Sequence, residues 1–206
     1  MKVAIVGGTG SFGRALAGRL KQLGYEVAVG SRDHQRGWER GVELGVDGGS
    51  NAEVVVGADL IVLATKSNAA IETAKEISDG IGETPVLCVA SDLVFSDAGV
   101  LPGRGEFSLA EELAQAILAP VASGLHSISA ADLARPEPPD QDALICGDDP
   151  RAKKPSLELA GKLVAGRAID VGPLANARGL EGMVAVILNV NKRLSVHAGL
   201  RLTGLP

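Results

Sequence analysis

Three glycines near the start of the chain constrain its fold more than any other feature. Gly8, Gly10 and Gly13 have the spacing G-x-G-x-x-G. An apolar run at residues 3–6 precedes them, and residues 14–23 place leucines at helical spacing after them. This order predicts a buried strand, a tight turn and a helix, which is the context that a dinucleotide-binding turn requires.

Each glycine of this turn has its own physical reason. The first permits the tight turn, the second lets the backbone approach a diphosphate, and the third lets the helix pack closely against the strand. The free N–H groups and the dipole at the helix start favour a bound anion. We therefore predict that the turn binds the diphosphate of a dinucleotide. The alternative is a turn that uses glycine for its shape alone.

The residues after the second predicted strand, 26–29, indicate which dinucleotide binds. An acidic residue there holds the ribose 2′-hydroxyl of NAD, whereas arginine accommodates the 2′-phosphate of NADP. The chain has Ser31, Arg32 and, one helical turn later, Arg36. A hydroxyl and two guanidinium groups suit a dianionic phosphate, although Asp33 mildly favours NAD. The pattern predicts NADP, and a solvated, charged helix start is the alternative.

Short apolar strands alternate with helices along most of the chain. This alternation predicts an α/β fold: a doubly wound, mostly parallel sheet of the Rossmann type with a C-terminal helical segment. The clearest buried strand is residues 59–64, and Thr65, Lys66 and Ser67 follow its carboxyl end, where open α/β sheets bind ligands. We divide the chain into a dinucleotide-binding region, 1–125, and a substrate-side region, 126–206, packed on the same sheet.

Local signals add further expectations. Asn51 is expected to cap a brief helix through residue 56, and residues 99–107, rich in glycine, are predicted to form a mobile loop. The last helix, from residue 174, has an apolar face that must be buried on its own sheet or across a dimer. We predict a homodimer that uses this helix. The face consists of Leu180, Met183, Val184, Ile187, Leu188 and Leu194.

Composition argues against several classes of function. The formal net charge is −5 and no basic face accumulates, which argues against nucleic-acid binding. The apolar runs are too short to span a membrane, and residues 1–2 leave no room for a signal peptide. Cys88 and Cys146 lack C-x-x-C spacing, so we expect buried free thiols of a cytoplasmic protein. The three histidines are scattered, and no metal site is predicted.

Several segments together resemble the NADP oxidoreductases that use the deazaflavin coenzyme F420. The matches follow the same order from the first strand to the final helix, and the last three are the more specific ones. The segments are G-G-T-G (7–10), V-G-S-R (29–32), L-H-S-I-S-A (125–130), C-G-D-D (146–149) and D-V-G-P-L-A-N-A-R (170–178).

The resemblance implies hydride transfer between NADP(H) and F420, and it implies two sets of site residues. Together with the residues predicted above, the NADP set is Gly8, Thr9, Gly10, Ser11, Phe12, Gly13, Ser31, Arg32, Arg36, Thr65, Lys66, Ser67 and Ala130. The set near the reacting rings and the second substrate is His126, Ser127, Ile128, Asn176 and Arg178. His126 is the candidate catalytic residue: it either helps to balance the proton taken up by the deazaflavin or only shapes the pocket wall.

The chain departs from the family pattern on the substrate side. Similar enzymes have proline at the positions of Lys66, Asp92 and Ser129, and a hydroxylated residue at the position of Val184. Two other functions therefore stay open. One is a reductase of a small carbonyl or imine with the same NADP half-site, and the other is a non-catalytic NADPH sensor.

Overall fold

A computed structural model describes residues 1–103 and 105–205. Its strands are β1 (Lys2–Val6), β2 (Glu26–Ser31), β3 (Asp47–Ser50), β4 (Leu60–Leu63), β5 (Val86–Cys88), β6 (Leu93–Ser96), β7 (Gly99–Pro102), β8 (Val121–Gly124), β9 (Ala143–Gly147) and β10 (Ala168–Asp170). Its helices are α1 (Ser11–Gln22), α2 (His34–Leu44), α3 (Asn51–Val54), α4 (Ser67–Glu76), α5 (Ser78–Ile81), α6 (Leu109–Ala116), α7 (Ala130–Leu133), α8 (Pro150–Leu163) and α9 (Ala177–Leu194), with a 3₁₀ turn at Leu174–Asn176.

Eight of these strands form one sheet in the order β10-β9-β8-β5-β4-β1-β2-β3. Neighbouring strands run parallel except for β8 and β9. Every residue of β4 is buried, as expected for a strand covered by helices on both faces. The sheet confirms the predicted mostly parallel Rossmann-type fold. It also brings the carboxyl ends of β1, β2, β4, β5 and β8 to a common edge.

The prediction of a mobile loop over residues 99–107 is wrong for its first part. Residues 93–102 form the antiparallel hairpin β6–β7. Tertiary contacts hold this hairpin, because the Asn189 side chain on α9 donates to the Val100 carbonyl at 2.7 Å and accepts the Val100 N–H at 3.0 Å. No local turn signal encodes that contact. Arg104, which belongs to the same predicted loop, lies outside the described residues.

The prediction for the cap of α3 is also wrong. Ser50, rather than Asn51, is the N-cap residue, and it forms a capping box with Glu53. The Glu53 carboxylate accepts the Ser50 N–H at 2.7 Å and the Nδ1 of His34 lies 2.6 Å from it. These bonds lower the pKa of Glu53 to about 2. The Asn51 side chain is therefore available for a different contact.

Helix α9 divides its apolar residues between the core and the surface. Leu180 and Met183 pack into the core of the domain. Val186, Val190 and Leu194, which lie four residues apart along the helix, remain exposed by 62%, 36% and 67%. Of the six residues of the predicted apolar face, only Leu194 is exposed; Val186 and Val190 belong to a different stripe of the helix, which we did not predict.

Cys88 and Cys146 are both buried and free, in agreement with their spacing. No helix within residues 1–103 and 105–205 is long and apolar enough to cross a membrane. In the same part of the chain, no three His, Cys, Asp or Glu side chains are arranged to hold a metal ion.

Candidate functional site

A cleft of about 510 Å³ lies at the common edge of the sheet, where the β1–α1 turn, the end of β2 and the β4–α4 turn meet. It brings together most of the predicted NADP residues. Its lining is Gly7, Thr9, Gly10, Ser31, Arg32, Arg36, Asn51, Ala64, Thr65, Lys66, Asn68, Ala69 and Thr73.

The glycines behind this cleft are required by packing. A Cβ added at Gly8 would lie 2.9 Å from the Ile5 carbonyl oxygen, and one at Gly13 would lie 2.7 Å from the Gly8 Cα. Helix α1 therefore begins in direct backbone contact with the turn. Its N-cap, Gly10, has no side-chain capping bond, so the N–H groups of the first turn are available to a diphosphate.

Asn51 holds the glycine turn from the side. Its Oδ1 accepts the Gly7 N–H at 3.3 Å, and the residue is only 5% exposed. The capping box of α3 fixes its backbone. We did not predict this role, although Asn51 follows the carboxyl end of β3 just as Thr65 follows that of β4. The strand-end rule that identified Thr65 would also have identified Asn51.

The three cations of the cleft lack acidic partners in the described part of the chain. Arg32, Arg36 and Lys66 take part in no ion pair among residues 1–103 and 105–205. Asp33, whose charge mildly favoured NAD, uses its carboxylate as the N-cap of α2 and accepts the Arg36 N–H at 2.7 Å. Ser31 is 7% exposed and lines the same end of the cleft. This arrangement suits a dianionic phosphate.

Close contact between α2 and β3 fixes the position of Arg36. A Cβ added at Gly37 would lie 1.8 Å from the Gly49 carbonyl oxygen, and one at Gly41 would lie 2.7 Å from the Gly48 nitrogen. The helix rests on the strand with no side chain between them. The guanidinium beside Gly37 is therefore carried by a helix that has little freedom to move.

Thr65 presents a polar atom that the described residues do not satisfy. Its Oγ1 is buried and has no hydrogen-bond partner within residues 1–103 and 105–205. A buried hydroxyl without a partner is costly. Because Thr65 lines the cleft, a polar ligand group bound there would satisfy this hydroxyl.

His126 follows the carboxyl end of β8 and is held between two hydroxyls. Its Nδ1 lies 3.0 Å from Ser91 Oγ and its Nε2 lies 2.9 Å from Ser123 Oγ. The Ser123 hydroxyl also donates to the Cys88 carbonyl at 3.4 Å. A neutral imidazole donates from one nitrogen and accepts at the other, so both ring nitrogens have a hydroxyl partner here. We did not predict either serine, although Ser91 follows β5 as Thr65 follows β4.

Burial lowers the pKa of His126 to about 4, so its imidazole is neutral near pH 7. The unfolded chain binds a proton here below a pKa of about 6.5, whereas the folded protein does not until about 4. We expect this residue to make the folded state less stable as the pH falls from about 6.5 to 4. Chemical denaturation of the wild type and of His126→Gln at several pH values checks this. If the free energy of unfolding changes with pH equally in the two proteins, the expectation is contradicted.

Four other residues of the predicted NADP set lie outside the main cleft. Ser11 and Ala130 line a separate open cleft of about 410 Å³ between α1 and α7. Phe12 packs against the core, and Ser67 is the first residue of α4. The structure does not bring these four residues into the main cleft.

The predicted substrate residues near His126 are mostly interior. Ser127 donates to the Asp142 carbonyl at 3.4 Å, and Ile128 belongs to the buried core. His126 and Ser127 line a cavity of about 10 Å³ together with Leu144, Leu180, Met183 and Leu200.

Arg178 lies in another pocket, of about 230 Å³, between the β6–β7 hairpin, the start of α6 and α9. Its guanidinium donates to the Glu106 carbonyl. The same pocket contains Asp92 and Glu181. Glu181 is 5% exposed, and burial raises the pKa of its carboxyl. Asn176 is exposed and donates to the Val171 carbonyl at 2.5 Å.

Known proteins resemble this chain over its whole length. The family described as "NADP oxidoreductase coenzyme F420-dependent" matches residues 2–90. The F420-dependent NADP reductase of Methanothermobacter thermautotrophicus is 34% identical over 100% of this chain and 96% of its own length. That of Methanocaldococcus jannaschii is 30% identical over 100% and 99%. A crystal structure from Arthrobacter sp. FB24, proposed to be an F420-dependent NADP reductase, has a TM-score of 0.87 and 26% identity over 98% and 99%.

Proposed function

The chain belongs to the family of F420-dependent NADP oxidoreductases, and from this premise we propose that it transfers a hydride between NADP(H) and coenzyme F420. The observation that carries the proposal is the cleft, in which an uncapped glycine turn lies beside Ser31, Arg32 and Arg36. The second substrate, F420, is inferred from full-length relatives that are named F420-dependent NADP reductases.

The residues of the cleft fit NADP. We infer that the free N–H groups at the start of α1 bind the diphosphate, and that Arg32 and Arg36 bind the 2′-phosphate. Lys66, across the cleft, adds a third positive charge. The buried Thr65 hydroxyl, which lacks a partner in the described part of the chain, would gain one from the bound cofactor. When bound, the nicotinamide gives or takes the hydride, while the protein positions the two rings and excludes water.

We place the deazaflavin between the turn at residues 65–67 and the segment at residues 126–130. Both follow strands that end at the same edge of the sheet. In this arrangement His126 is a neutral ring held in one orientation by Ser91 and Ser123. Near pH 7 the ring carries no extra proton to donate. We therefore assign it to the wall of the deazaflavin site, as a hydrogen-bonding group of fixed position. Ser127, Ile128 and Ala130 belong to the same segment.

We assign the charged tail of F420 to the pocket of Arg178, beside Asn176. The guanidinium is the group there that suits an anion. Asp92 and Glu181 place carboxyl groups in the same pocket. This pocket is therefore less positively charged than the NADP cleft, which has three cations.

The two other candidate functions have less support. A reductase of a small carbonyl or imine would use the same NADP cleft, yet the full-length relatives at 30–34% identity are named F420-dependent NADP reductases. An NADPH sensor without catalysis would bind the nucleotide and leave every acceptor unchanged.

Isotope transfer tests the proposed reaction. NADPH that carries deuterium on the transferring face of nicotinamide C4 should reduce F420 and deliver the label to the deazaflavin without exchange into solvent. Mass spectrometry of the reduced F420 checks this. His126→Asn should slow turnover by about 10-fold or more, because the shorter side chain no longer fills the place between Ser91 and Ser123, and should leave NADPH affinity intact. Protein that leaves F420 oxidised while reducing an imine with NADPH refutes the proposal in favour of the second candidate.

We also propose that the protein is a homodimer and that α9 contributes to its interface. The exposed stripe of Val186, Val190 and Leu194 supports this, and the hairpin held beside α9 adds the exposed Phe95. We expect light scattering at micromolar concentration to give twice the chain mass, and Val190→Glu with Leu194→Glu to halve it. Lys192→Glu, also near the end of α9, is the control. A monomeric wild type contradicts the proposal.

A cytoplasmic location belongs to the same proposal. Its support is the pair of buried free thiols, Cys88 and Cys146, because reducing compartments keep such thiols unpaired.

A further inference from the structure

The residues after α9 fold back onto the sheet without forming a helix or a strand. We call residues 195–205 the C-terminal tail. Ser195 leaves the helix in the left-handed conformation, with φ of 53°. Asn191 then holds the chain, because its Oδ1 accepts the Ala198 N–H at 2.6 Å. Leu200 and Leu202 pack against the core of the domain.

Asp142, at the entry to β9, fastens this tail. Its N–H donates to the Leu200 carbonyl at 2.7 Å, and its carboxylate accepts the Leu202 N–H at 2.8 Å. The carboxylate also receives the Arg167 guanidinium at 2.8 Å and the Arg167 N–H at 2.9 Å. Asp142 is 0% exposed, and these bonds, first of all those of Arg167, hold the pKa of its carboxyl well below its usual value.

The same residue touches the segment that carries His126. The Asp142 carbonyl accepts the Ser127 hydroxyl at 3.4 Å. Leu200, held by the Asp142 N–H, lines the cavity next to His126 with Leu180 and Met183. That cavity measures about 10 Å³, which is at the lower limit for one water molecule. The Leu200 side chain thus occupies space that water would otherwise fill beside the imidazole.

We propose that the C-terminal tail, fastened by Asp142, positions the reaction site: Leu200 closes the cavity beside His126 and keeps the imidazole between Ser91 and Ser123. Leu200 and Asp142 are positioning residues in this view. The inference rests on the proposed function in one respect, since that function places His126 at the reacting rings.

The surroundings of the His126 imidazole make an effect of Leu200 on its pKa measurable. Burial alone lowers the pKa of His126. The titratable side chains on the surrounding elements include Cys88, Asp92, Asp142, Cys146 and Glu181, and in the described structure none of them bonds to the imidazole. The two thiols have pKa values of about 12, so both are neutral. Water admitted beside the ring is therefore the change that would let it accept a proton.

The first test is a pH titration of His126 by NMR in the free protein, assigned with His126→Gln. In the wild type we expect protonation near pH 4. In Leu200→Ala we expect it at least about one pH unit higher, because water enters the enlarged cavity. Arg201→Ala is the matched control: this neighbouring side chain is exposed and paired with Asp140, and its removal should leave the titration unchanged. An unchanged titration in Leu200→Ala overturns the inference.

The second test is turnover of F420 with NADPH. Leu200→Ala should lower kcat by about 10-fold or more, as small misplacements at a reacting centre do, while the KM for NADPH stays at the wild-type value. Asp142→Asn, which keeps the shape but weakens the pair with Arg167, should change kcat in the same direction. If Leu200→Ala does not fold, Leu200→Val replaces it in both tests.

An unchanged kcat in a folded Leu200 variant also overturns the inference. The proposed function fails separately, since wild-type protein that never reduces F420 refutes it. In that case the titration of His126, which needs neither cofactor, still decides whether Leu200 shields the ring.

Discussion

Replacing Arg32 and Arg36 together by alanine should remove most of the preference for NADPH over NADH. Both guanidinium groups line the cleft beside Ser31 and have no acidic partner in the described chain. A hydrogen bond to a charged group contributes about 1.5–3 kcal/mol. The loss of two such contacts therefore corresponds to a decrease of about 10²–10⁴-fold in discrimination. Calorimetric titration of each protein with NADPH and with NADH measures it.

Arg40→Ala is the matched control for this double variant. Arg40 belongs to the same helix but pairs with Glu43, outside the cleft. Its removal should leave both affinities unchanged. NADH affinity should also be nearly unchanged in the double variant, because NADH lacks the 2′-phosphate. A wild type that binds NADH as tightly as NADPH would show that Ser31 and the two arginines do not select the cofactor.

Gly13→Ala should weaken NADPH binding by about 10²-fold or more in a protein that still folds. The new Cβ would lie 2.7 Å from the Gly8 Cα and 3.1 Å from the Gly7 carbonyl oxygen, so the start of α1 must move away from the turn. Overpacking of this kind costs about 1–3 kcal/mol of stability. Displacement of the N–H groups that face the diphosphate should lower affinity by about 10²-fold or more. Thermal unfolding and NADPH titration measure the two effects.

Gly18→Ala is the control, because it makes the same change one and a half turns later in α1. A Cβ at Gly18 would meet no atom within 4 Å. Alanine there should stabilise the protein by about 0.5–1 kcal/mol, since glycine is the weaker helix former, and should leave NADPH affinity unchanged. If Gly13→Ala binds NADPH as well as Gly18→Ala does, the close packing of the turn is not what the diphosphate site requires.

The sequence alone was sufficient to predict the site residues that belong to short segments next to a strand end. Gly10 of the glycine turn, Ser31 with its two arginines, and Thr65 and Lys66 after the strand at 59–64 line the main cleft, whereas Ser67 does not. Each belongs to a segment whose chemistry and position relative to a strand end can be read within a few residues. Parallel strands then bring these segments to one edge whatever the details of packing.

Only the tertiary structure decided the contacts between distant segments. Asn51 bonds to Gly7 across 44 residues, and Ser91 bonds to His126 across 35. The hairpin at residues 93–102 depends on Asn189, and the tail depends on Asp142. Local periodicity carries no information about such pairs, because they form only when packing of the whole core brings two helix or strand ends together. The glycine turn and the arginines were therefore predictable. The strand-end rule would also have placed Asn51 and Ser91 at this edge of the sheet, but their bonds to Gly7 and to His126 were not predictable.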